Sequence, residues 1–221
     1  MKKFIFSLLL ISSLTFAQTE KKVGDFHKVT AFDQITVELI ASDENKVELS
    51  GINSEEVELV NKNGELKLRM PLTKLLKGNT IHAKVYYTGL EAIEANEGSQ
   101  ISTETVIKGT TFSIIAKEGA KIDVHLELSK LNVKILSGGI VITEGTAKNQ
   151  EVTVAAGGMY QGKELTTEQT EISSNTGAEA SVFATELVDA KVRAGGTITI
   201  FGKPKQINQN TFAGGHIEVV Q

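Results

Sequence analysis

The chain is short of several residue types, and each shortage narrows the class of protein. Its 221 residues include no cysteine and no tryptophan. Disulfides therefore do not stabilise the fold, and a packed core must do so. With 40% hydrophobic residues, the chain can bury such a core. Two prolines beside 20 glycines argue against a proline-rich linker and for many turns.

The chain also lacks clusters of basic residues. The chain has two arginines, Arg69 and Arg193, no basic block, and a formal net charge of −4. Nucleic-acid binding needs clustered lysine and arginine to neutralise phosphates. We therefore expect no nucleic-acid partner.

The N-terminal segment, residues 1–17, has the organisation of a secretory signal peptide. Lys2 and Lys3 precede an apolar run over residues 4–16, and Ala17 is small enough for a cleavage site before Gln18. The run is too short for a transmembrane helix, which needs about 20 apolar residues. No other stretch is long and apolar enough to span a bilayer, and no cysteine is present for a lipoprotein anchor. We expect an exported protein, periplasmic or at the cell surface; the alternative is a buried N-terminal element.

Residues 18–88 alternate between apolar and polar side chains. Residues 35–39 (ITVEL) and 66–70 (LKLRM) illustrate the period of two that is typical of half-buried β-strands. Asn63-Gly64 favours a tight hairpin between two such segments, because both residues accept a positive φ. We expect residues 73–79 to form a loop or a single helical turn.

From residue 89 onward the strands recur with glycines at steps of 19 to 21 residues. The aligned glycines are Gly98, Gly119, Gly138, Gly157, Gly177, Gly196 and Gly215. A fixed period near 20 in a strand-rich chain is typical of a solenoid. The sequence predicts an all-β fold, a right-handed parallel β-helix or β-solenoid with about 19-residue coils over residues 89–221. The strands of residues 18–88 would cap or extend it, giving one continuous domain over residues 26–221.

Burying four or five aliphatic side chains in a single coil stabilises it less than the loss of backbone conformational entropy destabilises it. The coils must therefore stack. The glycines would mark corners that need a positive φ or leave no space for a side chain. A β-sandwich with glycine-rich hairpins is the alternative. The expected corner residues are Gly119, Gly138, Gly139, Gly157, Gly158, Gly177, Gly195, Gly196, Gly214 and Gly215.

This order of segments, ending in DAKVRAGGTITIFGKPKQINQNTFAGGHIEV, resembles the autotransporter-adhesin head (head-GIN) domain. The resemblance covers nearly the whole chain after residue 17. It implies a β-helix-like solenoid, an adhesin-like role and a source among Bacteroidetes-type bacteria, and it supplies no catalytic residues. Family corners often read Ser-Gly-Ser-Gly. Here residues 137–139 (SGG), 156–158 (AGG) and 194–196 (AGG) replace that motif, and residues 175–177 (NTG) depart further.

Motifs for cofactors and metals are missing from the sequence. The four histidines, His27, His82, His125 and His216, lie far apart, whereas zinc needs three or four converging ligands. The Gly-Gly corners match neither a phosphate-binding loop nor a calcium-binding repeat. We expect no cofactor, no metal and no enzymatic activity.

A carbohydrate-active β-helix that binds or cleaves polysaccharide is the alternative function. Asp189, Lys191 and Arg193 alternate along one strand and would supply an acid, a base and a stabilising charge. The alternative interpretation of this trio is a solvated strand face. The candidate ligand platform consists of the aromatic residues Tyr86, Tyr87 and Tyr160, for which core packing is the alternative.

The C-terminal coil is expected to present an open strand edge, since residues 217–221 (IEVVQ) include no capping helix. We expect a partner there, either a second copy of the chain or a component of the cell surface.

Overall fold

A computed structural model describes residues 19–220. The expected signal peptide, residues 1–17, lies outside the described residues. Two short 3-10 turns, Ser54–Glu56 and Leu72–Lys74, interrupt an otherwise all-β structure. The described strands are β1 (Thr19–Lys22), β2 (Lys28–Ala31), β3 (Thr36–Ala41), β4 (Lys46–Ser50), β5 (Glu58–Lys62), β6 (Glu65–Arg69), β7 (His82–Tyr87), β8 (Ala92–Ala95), β9 (Gln100–Thr103), β10 (Ile107–Ala116), β11 (Lys121–Ile135), β12 (Ile140–Ala155), β13 (Met159–Asn175), β14 (Glu179–Arg193), β15 (Thr197–Phe201), β16 (Gln206–Phe212) and β17 (His216–Val219).

The chain winds as a β-solenoid of about seven turns with a spacing of about 19 residues. Consecutive strands pair in parallel and in register: β11 follows β10 with Ile107 beside Leu126, and β12 follows β11 with Lys121 beside Ile140. The solenoid predicted from the glycine spacing is confirmed, and the sandwich alternative is wrong.

Inward-facing side chains form columns that run through the rungs. Because in-register parallel strands keep the same pleat face, a buried position in one rung lies beside a buried position in the next. The strand β11 alternates buried and more exposed residues along most of its length. One column of buried residues consists of Ile122, Val141, Tyr160, Ala180 and Ile198.

Each rung from β8 onward turns one sharp corner through two residues with positive φ. At Glu118 and Gly119, φ is 56° and 72°, and the amide of Ala120 donates to the carbonyl of Lys117. This combination is typical of a type I′ turn. Glycines with φ between 66° and 78° take the second corner position: Gly98, Gly119, Gly138, Gly157, Gly177, Gly195 and Gly214.

The second glycine of each Gly-Gly pair is required for a different reason, which is the lack of space for a Cβ atom. A Cβ at Gly139 would lie 2.6 Å from the carbonyl oxygen of Ala116, whereas a Cβ at Gly138 would meet open space. In other rungs, buried Ala120 and Ala178 take the place of Gly139. Where the backbones approach most closely, even one methyl group is excluded.

The alignment of two late corners is wrong by one residue. Gly195 and Gly214, rather than Gly196 and Gly215, have the positive φ that corresponds to Gly177. The rung from Gly177 to Gly195 is therefore shorter by one residue than the rung from Gly195 to Gly214. The sequence does not reveal this one-residue difference, because either glycine of a Gly-Gly pair can be aligned with the corner glycine of the preceding rung.

The N-terminal rungs stack out of sequence order. The rung made of β2 and β3 lies between the rung of β6 and β7 and the rung of β8 and β9, with parallel pairing on both sides. Beyond β6 and β7, antiparallel strands cover the end: β5 pairs with β6, β4 with β7, and β1 with β4. The hairpin expected at Asn63-Gly64 joins β5 and β6, and both residues have positive φ.

At the opposite end, β16 and β17 form the last described rung. Among the described residues, β16 pairs with β14 alone and β17 with β15 alone. Ile207 and Ile217 are half-buried against the core, and Phe212 is 71% exposed. The aliphatic interior is therefore only partly covered here.

Candidate binding faces

The rungs present three outer surfaces. The first face consists of β8, residues 112–116, 131–135, 150–155, 170–175 and 188–193, and β16. The second face consists of β9, residues 121–125, 140–144, 159–162 and 179–183, β15 and β17. The third side consists of residues 107–110, 126–130, 145–149, 165–169 and 184–187.

On the first face, carboxylates from three rungs form a column. Glu151 pairs in register with Glu171, and Glu171 with Asp189. The Nζ of Lys191 lies 3.2 Å from Glu171 Oε1 and 3.3 Å from Asp189 Oδ1, and the Nζ of Lys130 lies 3.4 Å from Glu151 Oε2. The column is therefore a ladder of ion pairs on an open surface.

The structure brings together two of the three residues considered for acid–base chemistry. Asp189 and Lys191 pair with each other, whereas Arg193 is exposed at the end of β14 beside the corner. Hydrogen bonds to Glu171 and Asp189 raise the pKa of Lys191, so its amine stays protonated at neutral pH and cannot serve as a base. The adjoining depression, about 310 Å³, is open and lined mainly by polar residues.

The three tyrosines do not form a common platform. Tyr86 is half-buried on β7, where its hydroxyl donates to Glu48 Oε2 at 3.0 Å. Tyr87 is 7% exposed and Tyr160 is 1% exposed. Burial removes Tyr87 and Tyr160 as ligand platforms, because a bound molecule cannot reach their rings.

Tyr160 instead belongs to a buried chain of hydrogen bonds that the sequence analysis missed. Its hydroxyl lies 2.9 Å from Thr143 Oγ1 and donates to Gln150 Oε1, whose Nε2 in turn donates to Thr170 Oγ1. Thr170 contacts Thr167, which donates to a backbone carbonyl of the next rung. Burial raises the pKa of Tyr160. The weak periodicity of residues 159–165 (MYQGKEL) was the one signal of this irregular rung.

A shallow groove of about 460 Å³ follows the third side across several rungs. Small residues such as Gly109 and Ala147 leave it open between larger neighbours. Its lining includes five hydroxyl side chains: Ser129, Thr146, Thr166, Thr167 and Thr185. Such a lining offers hydrogen bonds to a polar chain molecule and contains no aromatic ring.

Histidines in the described part of the chain do not converge on a metal site. His125 Nδ1 lies 3.4 Å from Glu144 Oε2, and the two side chains are 43% and 45% exposed. Over residues 19–220, no group of three histidine or acidic side chains is arranged to hold a metal ion.

A charged cluster ties the out-of-order rung to its neighbours. Lys28 Nζ lies 3.0 Å from Glu65 Oε1 and 2.7 Å from Glu94 Oε2, and Lys117 Nζ lies 2.7 Å from Glu94 Oε1. Thr30 donates to Glu65 at 2.7 Å. Partial burial alone would raise the pKa of Glu65, but hydrogen bonds from Thr30 and two lysines lower it to about 2.

Solved structures from Bacteroides fragilis and Parabacteroides distasonis have a similar fold. A putative adhesin from Bacteroides fragilis has 22% identity and a TM-score of 0.86, covering 94% of this chain and 98% of that one. A putative lipid binding protein and a putative adhesin, both from Parabacteroides distasonis, have 16% and 19% identity and TM-scores of 0.71 and 0.76. Each of these two covers 93% of this chain, and 96% and 97% of its own. At these identities the likeness shows the fold alone.

No curated protein matches the sequence. Within residues 19–220, the structure contains no helix with the length and hydropathy of a membrane span. The family model described as "Putative auto-transporter adhesin, head GIN domain" matches residues 25–204. With the solenoid and its glycine corners, this match over most of the chain shows that the protein belongs to the head GIN domain family.

Proposed function

We propose that the protein is a non-enzymatic, adhesin-like binding scaffold that works outside the cytoplasm. The observation that carries this proposal is the ladder on the first face, where Lys130 and Lys191 form ion pairs with a column of three carboxylates on an open surface. Membership of an adhesin family supports the same role. Long, regular faces suit contact with extended surfaces, as in other solenoids.

The scaffold role is tested by a binding screen combined with a polysaccharide-degradation assay. We expect the protein to bind a component of the cell envelope or an arrayed glycan without turnover. Asp189→Ala serves as the probe of the enzymatic alternative, and Asp123→Ala on the second face as its matched control. Polysaccharide turnover by the wild type that is lost in Asp189→Ala alone would contradict the proposal.

Export is part of this proposal. The signal-peptide pattern of residues 1–17 supports cleavage between Ala17 and Gln18. Cell fractionation followed by N-terminal sequencing is expected to find a chain that begins at Gln18 in the periplasm or on the cell surface. A cytoplasmic protein that retains Met1 would exclude export.

Polysaccharide binding without cleavage is a second candidate, favoured by the groove of the third side. The groove offers hydroxyl groups along the rod axis, where a linear polar chain could lie. Thr146→Lys and Thr166→Lys would fill it with long side chains. Glycan binding that survives both substitutions would exclude the groove as the binding site.

We further propose that the C-terminal rung binds a partner, either a second copy or a cell-surface component. Support comes from the one-sided pairing of β16 and β17 and from the exposure of Phe212 and Val219. Such strand edges readily pair with another chain. Light scattering at high concentration, with hydrogen exchange of β16, tests this. A monomer whose β16 amides exchange freely, with or without envelope extract, would overturn it.

A further inference from the structure

Two neighbouring loops at the N-terminal end of the rod expose large aliphatic side chains to water. Leu72 is 83% exposed, Ile52 is 70% exposed, and Leu75 and Leu76 are each 50% exposed. The loops touch, since Thr80 Oγ1 donates to the carbonyl of Ile52 at 3.3 Å. We name this surface the leucine tip and define it as Ile52, Leu72, Leu75 and Leu76.

The leucine tip is held outward by buried groups. Asp33 is 1% exposed, and its carboxylate accepts hydrogen bonds from the amides of Met70 at 2.9 Å and Leu76 at 2.8 Å. The amide of Gly78 donates to the carbonyl of Asp33 at 2.9 Å. The loop is therefore fastened at its start, middle and end, and the leucines cannot fold back onto the core without breaking these bonds.

Leu76 adds a second cost to this arrangement. Its φ is 59°, a left-handed conformation that is unfavourable for a leucine. The hydrogen bond from its amide to Asp33 holds this conformation and keeps the side chain in water. The free-energy cost of exposing the leucine side chain is recovered when that side chain enters an apolar medium.

The charges around the leucine tip indicate which apolar medium the leucines would enter. From Met70 to Leu90 the chain has no acidic residue, although the whole chain is net acidic. On the loop that carries the leucines, the charged side chains are Lys74 and Lys77, and Lys77 is exposed. Lys74 pairs at 2.5 Å with Glu56 of the Ile52 loop, which also carries the exposed Glu55, so the positive charge of the tip lies on the leucine loop. Leucines flanked by lysines match the boundary of a membrane, where apolar side chains enter the acyl region and lysines meet anionic headgroups.

We propose that the leucine tip docks on a lipid surface containing anionic headgroups, and so attaches the N-terminal end of the rod to a membrane. The four aliphatic side chains of the tip lie on two adjoining turns and are at least half exposed, which suits insertion between lipids. This attachment does not depend on the scaffold function of the faces, because it uses residues outside them.

Vesicle co-sedimentation tests this proposal. The protein is purified as the producing cell leaves it, with its first residue read by mass spectrometry. It is mixed with vesicles of phosphatidylcholine alone or with phosphatidylglycerol added. We expect stronger binding to the anionic vesicles, and binding about tenfold weaker for the double variant Leu72→Ser/Leu75→Ser. Lys77→Gln is expected to weaken binding to anionic vesicles by about fivefold and to leave binding to neutral vesicles unchanged.

The opposite end of the rod supplies a matched control. Phe212→Ser/Val219→Ser removes exposed apolar side chains there and is expected to leave vesicle binding unchanged. Unfolding curves should show that both double variants retain the wild-type fold, since the substituted side chains are exposed. Lipid binding that is absent in the wild type, or equal in the two double variants, would overturn the proposal.

Two outcomes would identify another occupant of the leucine tip. If the wild type self-associates in sedimentation velocity, does not bind vesicles, and becomes monomeric in Leu72→Ser/Leu75→Ser, the occupant is a second copy. If it binds an envelope protein through these leucines and no vesicle, the occupant is a protein. Either result overturns lipid docking and leaves the scaffold role standing, because the vesicle assay does not measure export or glycan binding.

Discussion

Glycine meets two physical requirements at neighbouring corner residues. Gly138 has a φ of 74° and open space around its Cα, so only backbone conformation restricts it. Gly139 has ordinary φ but faces the backbone of Ala116. The sequence spacing predicted glycine corners. It could not show which glycine is required for its positive φ and which for lack of space, because both positions hold the same residue type.

The two glycines are expected to respond differently to substitution. Gly139→Ala should lower the free energy of unfolding by about 1–3 kcal/mol, because the new Cβ must displace the neighbouring rung. Gly138→Asn is the control and should cost less than about 1 kcal/mol, since asparagine tolerates a left-handed φ. Urea unfolding of both variants measures this; an equal loss in the two would contradict the packing explanation.

Glu65 is expected to make the free energy of unfolding depend on pH in the acidic range. Its pKa is about 2 in the folded protein, below the ordinary value of 4.5, so the folded state favours the carboxylate. The resulting stabilisation is fully present above pH 4.5 and is lost as the pH falls towards 2. Unfolding curves of the wild type and Glu65→Gln should differ at pH 6 and converge near pH 2. A difference that is constant over this range would exclude Glu65 as its source.

At the scale of single elements, β13 is a strand whose position in the core could not be predicted from the 19-residue repeat. Its register against β12 shifts between Ile142 and Glu144, and the rung gains one residue. Tyr160 fills the core there, beside Gly162, where a Cβ would lie 2.5 Å from the tyrosine ring. The sequence could not show that this aromatic residue is internal, because its polar partners Thr143 and Gln150 are 17 and 10 residues away and meet it only once the chain has wound around the core.

The buried hydrogen bonds of Tyr160 should stabilise this rung. Tyr160→Phe removes the buried hydrogen-bond partner of Thr143 Oγ1 and of Gln150 Oε1, and it is expected to lower the free energy of unfolding by about 1–3 kcal/mol. Tyr86→Phe removes a hydroxyl on the surface and should cost less than about 1 kcal/mol. Urea unfolding compares the two; a smaller loss for Tyr160→Phe than for Tyr86→Phe would show that the buried chain contributes little.

The placement of β2 and β3 was also beyond prediction from the sequence. Alternation correctly predicted strands in residues 18–88, since one face of each is buried. Alternation does not say which strands become neighbours, however. The stacking of β2 between β6 and β8 depends on contacts between segments far apart in the sequence, including the ion pair of Lys28 with Glu94.

At the scale of the whole molecule, we propose that residues 26–221 fold as one domain. The rung of β2 and β3 pairs in parallel and in register with the rung of β8 and β9, so one continuous strand ladder joins the two regions distinguished by sequence period. Limited proteolysis is therefore expected to spare the link around residue 88. Two stable fragments produced by cleavage there would show separate domains.

The central claim is that consecutive rungs of the second half stack in parallel and in register. The absence of native cysteine makes a direct test feasible. Lys134 and Thr153 are register partners on adjacent rungs, whereas Ser173 lies one rung further along the same column. We predict that Lys134→Cys/Thr153→Cys forms an intramolecular disulfide under mild oxidation. The control Lys134→Cys/Ser173→Cys should not, because two rung spacings of about 4.8 Å place its Cα atoms beyond the roughly 7 Å limit for a disulfide. A disulfide in the second pair but not in the first would contradict the stacked solenoid.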